Sequence, residues 1–85
     1  MKVKDFSYLE ARGLVSQFLE IRVEYDGSNN PIFVGYNHTP NAGVDSPTWF
    51  IVKENYTGGN LTRQQLPDEG VRFIYTWTDR ATYFS

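Results

Sequence analysis

The chain has 85 residues, enough for one domain and too few for two. Eight Lys and Arg against ten Asp and Glu leave a net charge of −2, and the cations are scattered along the chain, which argues against nucleic-acid binding, where clustered cations displace counterions. The absence of cysteine excludes a disulfide framework and thiolate chemistry, and no segment approaches the roughly 20 apolar residues of a membrane span.

The N-terminal stretch MKVKDFSYLEARG lacks the apolar run of a signal peptide, so export is not expected. Phe6, Leu9 and Ala11 fall at roughly helical spacing with Gly13 as a stop, which predicts an irregular arm over 1–16 followed by a single β-domain over 17–85. Aromatic residues make up 16% of the chain, more than one small core readily hides, and a chain this short gains stability when a partner covers further surface. Both features point to an assembly.

From Gln17 a period of two emerges. Leu19, Ile21, Val23 and Tyr25 alternate with Glu20, Arg22 and Glu24, the pattern of a strand with one dry face and one wet face. The sequence DGSNN then offers residues that tolerate positive φ or bond their own backbone, and Pro31 opens a second β-rich run from Ile32 to Tyr36, completing a hairpin. HTPNAGVDSP, residues 38–47, carries no periodicity and predicts a loop, with His38, Asn41 and Asp45 as its candidate contact residues.

The next run, TWFIVKENY, is apolar on both faces: Trp49, Ile51 and Lys53 share one side, Phe50, Val52 and Glu54 the other. A central or sandwiched strand has that character. TGGN predicts a second hairpin turn and LTRQQL a polar outer strand that protects the edge. After PDEG, the run VRFIYTWT predicts a fifth strand with Val71, Phe73, Tyr75 and Trp77 on one side and a kink near Thr78 and Asp79. The sum is an all-β fold, a small sandwich or partly open barrel of about five strands.

Chemistry is sparse. His38 is the single histidine, so a zinc site would need carboxylates beside one imidazole, and a nucleophilic triad would need an unsignalled Ser or Thr and acid. Asp68 and Glu69 lie between Pro67 and Gly70 and read as a solvated turn, while Gly58 and Gly59 lack the lysine and helix of a phosphate loop. Asn37, Asn55 and Asn60 each begin a glycosylation triplet, which has meaning only in a secretory compartment. Trp49, Tyr36, Tyr56, Trp77 and Tyr83 could form a stacking platform for a sugar ring; the plainer role is core or subunit interface. For Asp79 and Arg80 the plain reading is an Asp bonding backbone at the kink and an Arg pairing with a carboxylate on a neighbouring strand or subunit.

YDGSNNPIFVGY, the W-x-I-x-K strand, TGGNLTR and the closing W-x-DRA-x-Y-x-S together resemble a family of small proteins encoded in tailed-bacteriophage genomes, over roughly residues 21–85. Asp26, Gly27, Pro31, Val34, Gly35, Trp49, Ile51, Lys53, Gly59, Trp77, Asp79, Arg80 and Ala81 carry the resemblance. The chain departs from the pattern within NHTPNAGVDSP and at Thr78.

The resemblance implies a structural component of the virion at the neck, tail or fibre attachment. It would be made in the bacterial host cytoplasm and docked onto other virion proteins as a homo-oligomer, without enzymatic activity, cofactor, metal, nucleic acid or membrane. Trp49, Trp77, Arg80 and Tyr83 are then expected to stabilise the fold or its interface. The alternative is a module that recognises a host-surface carbohydrate through exposed aromatics.

Overall fold

The computed structural model of the chain describes residues 18–85, so the expected N-terminal arm lies outside the described residues. The fold is all-β. Four antiparallel strands, β1 (Glu20–Tyr25), β2 (Pro31–Asn37), β3 (Phe50–Thr57) and β4 (Asn60–Gln65), form one sheet in the order β1-β2-β3-β4. Each strand pairs with the next in sequence, so the whole sheet is built from local connections.

The turns explain the register. In the first hairpin Asp26 Oδ1 accepts hydrogen bonds from the amides of Ser28 at 2.8 Å and Asn30 at 3.0 Å, while Asn29 adopts φ +64°. In the second, Gly58 and Gly59 both hold positive φ, +59° and +83°. Two consecutive left-handed residues are what a two-residue hairpin with the sheet's own twist requires, and glycine supplies them without a Cβ clash.

The pleat sends alternate residues of β3 to opposite faces, and each face is packed. On the first, Trp49 and Ile51 join Phe33, Tyr75 and Trp77, with Ile32, Ala42, Val44, Tyr83 and Phe84 around them. On the second, Val34, Tyr36 and Val52 are flanked by Phe18, Ile21, Val23, Phe50 and Phe73. Trp49 and Ile51 are both 0% exposed. Burying such side chains contributes roughly 1.5–3 kcal/mol each for residues of this size, so the two faces carry most of the stability of the sheet.

Strand count is where expectation and structure part. The predicted fifth strand over 71–78 does not form a ladder; only an isolated antiparallel bridge joins Tyr75 to Trp49. The physical reason is that its aromatics serve two faces. Phe73 packs with Phe50 on the second face, at a centroid distance of 5.7 Å, whereas Tyr75 and Trp77 enter the core of the first. A regular strand would have put all three on one side. The segment instead crosses beside the start of β3 and ends in a 3-10 helix, Arg80–Tyr83.

β1 also starts later than the sequence predicts, at Glu20, leaving Leu19 65% exposed. Its supposed wet face is partly used. Glu24 pairs with Phe33 in the ladder, faces the C-terminal segment and meets Arg80 there.

Candidate functional site

The site with the densest set of interactions is the first face of the sheet, where the C-terminal segment lies. Gly35 of β2 forms its floor, because a methyl at that position would stand 2.7 and 2.8 Å from Cε3 and Cζ3 of Trp77 and 3.1 Å from Cε3 of Trp49. The two indoles sit against each other at 6.1 Å between centroids, tilted by 50°. Tilted aromatic pairs at this separation are favoured by their quadrupoles.

Trp49 is held by both of its polar neighbourhoods. Its amide donates to Tyr75 O at 2.9 Å and Tyr75 returns the bond at 3.0 Å, while the indole Nε1 donates to Gly43 O at 2.9 Å. That last bond ties the 38–48 loop to the core.

Arg80 closes the arrangement. Its Nε donates to Glu24 Oε1 at 2.8 Å and Nη1 donates to Trp77 O at 2.9 Å. Its guanidinium lies 4.7 Å from the Trp77 ring centroid and 6.0 Å from that of Phe33. The fork thus joins β1, the C-terminal segment and the aromatic core at once.

The sequence expectation of an Arg pairing with a carboxylate on a neighbouring strand describes this geometry. For Asp79 the partner differs from a backbone amide: its Oδ2 accepts from Thr76 Oγ1 at 3.0 Å. The Tyr83 ring packs against Tyr75 at 4.7 Å between centroids, tilted by 52°, and its hydroxyl accepts from the Thr76 amide at 3.0 Å. Trp49, Trp77, Arg80 and Tyr83 therefore come together in one cluster.

The three loop residues do not converge on a common point. The His38 ring packs against Phe73 at 4.4 Å and Phe18 at 5.1 Å, on the second face. Asn41 holds φ +57° and its amide donates to Glu20 Oε1 at 3.0 Å. Asp45 Oδ1 accepts from Thr78 Oγ1 at 2.5 Å, next to the Thr78 amide bond to Val44 O at 3.0 Å. The loop is thus fastened at several points. Asn37, buried at its start, adds Nδ2 to Thr48 Oγ1 at 2.8 Å and Oδ1 to the Thr39 amide at 2.9 Å.

Several residues with apparent chemical promise have structural work. Trp49, Trp77 and Tyr36 are buried, so their rings serve the core. Asn37 is buried with its amide bonded to Thr48 and the Asn55 Nδ2 is buried, which leaves Asn60, in the exposed hairpin, as the accessible triplet asparagine.

A cleft of about 200 Å³ lies between the 67–70 turn and the C-terminal helix, lined by Asp68, Glu69, Ile74, Tyr75, Thr82 and Tyr83. Its volume falls short of the roughly 300–1,000 Å³ of small-molecule sites. Two of its polar residues are engaged within the chain: Tyr75 Oη donates to Gly70 O at 2.8 Å, and Asp68 Oδ1 accepts from the Ser85 amide and hydroxyl. Among the described residues, no group of three or more His, Cys, Asp or Glu is arranged to hold a metal ion.

The Asp26 carboxyl and the Tyr75 phenol are displaced from their ordinary values. The amides of Asn30 and then Ser28 hold the Asp26 carboxyl below the usual range, and burial, with the charge of Glu69 second, pushes the Tyr75 phenol up.

Sequence reasoning missed Gly35 as the seat of Trp77 and Glu24 as the partner of Arg80. A glycine inside a strand of β-branched and aromatic residues is a signal of close approach, but the approaching residue lies far along the chain. No protein-family model, curated protein or solved structure matches the chain.

Proposed function

We propose that the protein is a non-enzymatic structural component of a tailed-bacteriophage virion, at the neck, tail or fibre-attachment region, where it docks onto neighbouring subunits in multiple copies. The reading is supported by the role of the residues that resemble the phage family. Gly35, Trp49, Trp77 and Arg80 meet in one packed cluster, Asp26 shapes the first turn and Gly59 the second. A motif whose residues set packing and turns specifies a shape, and a small protein that presents a shape works by contact.

Its partners are other virion proteins and further copies of itself, and its place is the particle, after synthesis in the bacterial host cytoplasm. The scattered cations favour protein surfaces over nucleic acid. Exposed apolar residues supply contact area: Leu19 beside the β1 edge, Leu61 on β4, and Leu66, Val71 and Ile74 around the C-terminal turn.

A quantitative mass-spectrometric inventory of density-purified phage particles tests the proposal. Several copies per particle are expected; recovery in the infected-cell lysate alone, with none in the particle, overturns it.

A further inference from the structure

The cleft between the 67–70 turn and the 3-10 helix is framed by hydrogen bonds on both sides. On one, the Gly70 amide donates to Pro67 O at 2.8 Å and closes the turn. On the other, the Asp68 amide donates to Tyr83 O at 2.9 Å, and Asp68 Oδ1 accepts from the Ser85 amide at 3.2 Å and the Ser85 hydroxyl at 2.9 Å. Its shape is therefore held by the same bonds that fasten the end of the segment.

The lining divides by chemistry. Ile74, Tyr75 and Tyr83 supply an apolar and aromatic wall, Asp68 and Glu69 an acidic one. The aromatic wall is fixed, since the two rings pack at 4.7 Å, Tyr75 Oη donates to Gly70 O at 2.8 Å and Tyr83 Oη accepts from the Thr76 amide at 3.0 Å. The acidic wall keeps capacity to accept. Among the described residues, Asp68 Oδ2 takes no hydrogen bond, and Glu69 meets only Arg72, at 3.8 Å with side chains 73% and 58% exposed. A pair so long and so wet binds weakly. After burial, the charge of Glu69 raises the Tyr75 phenol most, Arg72 opposes it and Asp68 adds to it, so the carboxylates' field reaches the aromatic wall.

We propose that this cleft receives an arginine side chain of a docked particle protein. The proposal rests on the docking reading above and names the chemistry of one contact. A guanidinium is planar, lies against aromatic rings and carries its donors in a fork that matches carboxylate oxygens. Asp68 Oδ2 and the Glu69 carboxylate supply the oxygens, Tyr75 and Tyr83 the rings. The aliphatic stem of the incoming arginine covers apolar surface, which Ile74 offers at 41% exposure. The cleft is too small for a drug-sized ligand and suits the head of a single side chain. An anionic group is repelled by the same walls, and a neutral one leaves the carboxylates unmatched.

The test is an NMR titration of the isotope-labelled full chain with N-acetyl-arginine amide, and with N-acetyl-citrulline amide as its uncharged counterpart. Saturable shifts confined to residues 67–70, 74–76 and 82–85 are expected for the arginine probe, with a Kd of about 1 mM, and none for the citrulline probe. Removing both charges in Asp68→Asn/Glu69→Gln, which keeps the size of each side chain, should weaken binding about tenfold. Thr82→Leu, at the exposed rim, narrows the cleft with both carboxylates in place and should weaken it as well. Amide shifts of β1 to β4 report that each variant keeps its fold.

Absence of saturable shifts in the cleft, equal binding of the citrulline probe, or binding undiminished in both variants overturns the arginine site. Each of those results leaves the docking reading standing, because association with particle proteins is measured separately. Binding of the arginine probe in the cleft by a protein that is absent from the particle would overturn the docking reading, and with it the particle protein as the source of the arginine.

Discussion

The indole of Trp77 rests on the backbone of Gly35, so closely that a methyl at position 35 would meet Cε3 at 2.7 Å. Gly35 is not among the glycines with positive φ, so its role is space and not backbone conformation. Gly35→Ala is expected to destabilise by about 1–3 kcal/mol through overpacking, against a gain of about 0.4–1 kcal/mol from stiffening the unfolded chain. Urea denaturation measures the difference. In a Trp77→Ala background the same change should cost far less, because the two residues share the contact; strict additivity would contradict the packing described.

Trp49 combines full burial with a bond to the 38–48 loop. Trp49→Ala is expected to lose about 3–5 kcal/mol, enough to unfold much of a domain this size. Trp49→Phe keeps most of the packing and removes the donor to Gly43 O, at about 0.5–1.5 kcal/mol. Hydrogen exchange in that variant should quicken at residues 43–46 and leave β2 and β3 unchanged.

Arg80 and Glu24 pair at 2.8 Å with side chains 26% and 37% exposed. A double-mutant cycle with Arg80→Gln and Glu24→Gln should give a coupling of about 0.5–1 kcal/mol that shrinks as salt is raised. The Arg80 single change should cost more than the Glu24 change, since Arg80 also bonds Trp77 O and covers its ring. Equal costs would remove the ring contact from the explanation.

Stability should fall at both ends of the pH scale for two identified reasons. The Asp26 carboxyl is held below its reference of 3.8 by two backbone amides, so its contribution is present above that value and is lost as pH falls through the folded value. Tyr75 is raised above 10.0 by burial, so its contribution is present below that value and is lost as pH rises through the folded value. Denaturation midpoints followed against pH should show a flatter acid limb in Asp26→Asn and a flatter alkaline limb in Tyr75→Phe. Unchanged limbs would remove these groups as the cause.

What the sequence disclosed follows the range of the interactions. The two hairpins were legible because their determinants are local: Asp26 and Asn29 in one turn, Gly58 and Gly59 in the other. The two faces of β3 were legible from alternation, with Trp49 and Ile51 on one and Phe50 and Val52 on the other. The last segment was not, since its β-branched and aromatic residues satisfy a strand pattern while Phe73 and Trp77 pack on opposite faces. Only the position of Gly35, remote in sequence, decides that Trp77 has a seat on the first face. The members of the Trp49, Trp77, Arg80 and Tyr83 cluster could be named from residue type, and their mutual contact could not.

Native mass spectrometry of the purified chain across a concentration series, alone and mixed with virion proteins, tests the multi-copy docking role most directly. A defined oligomer, or a complex that forms with particle proteins, is the predicted result. A species of 9.8 kDa at every concentration, with no binding to any particle protein, would contradict it.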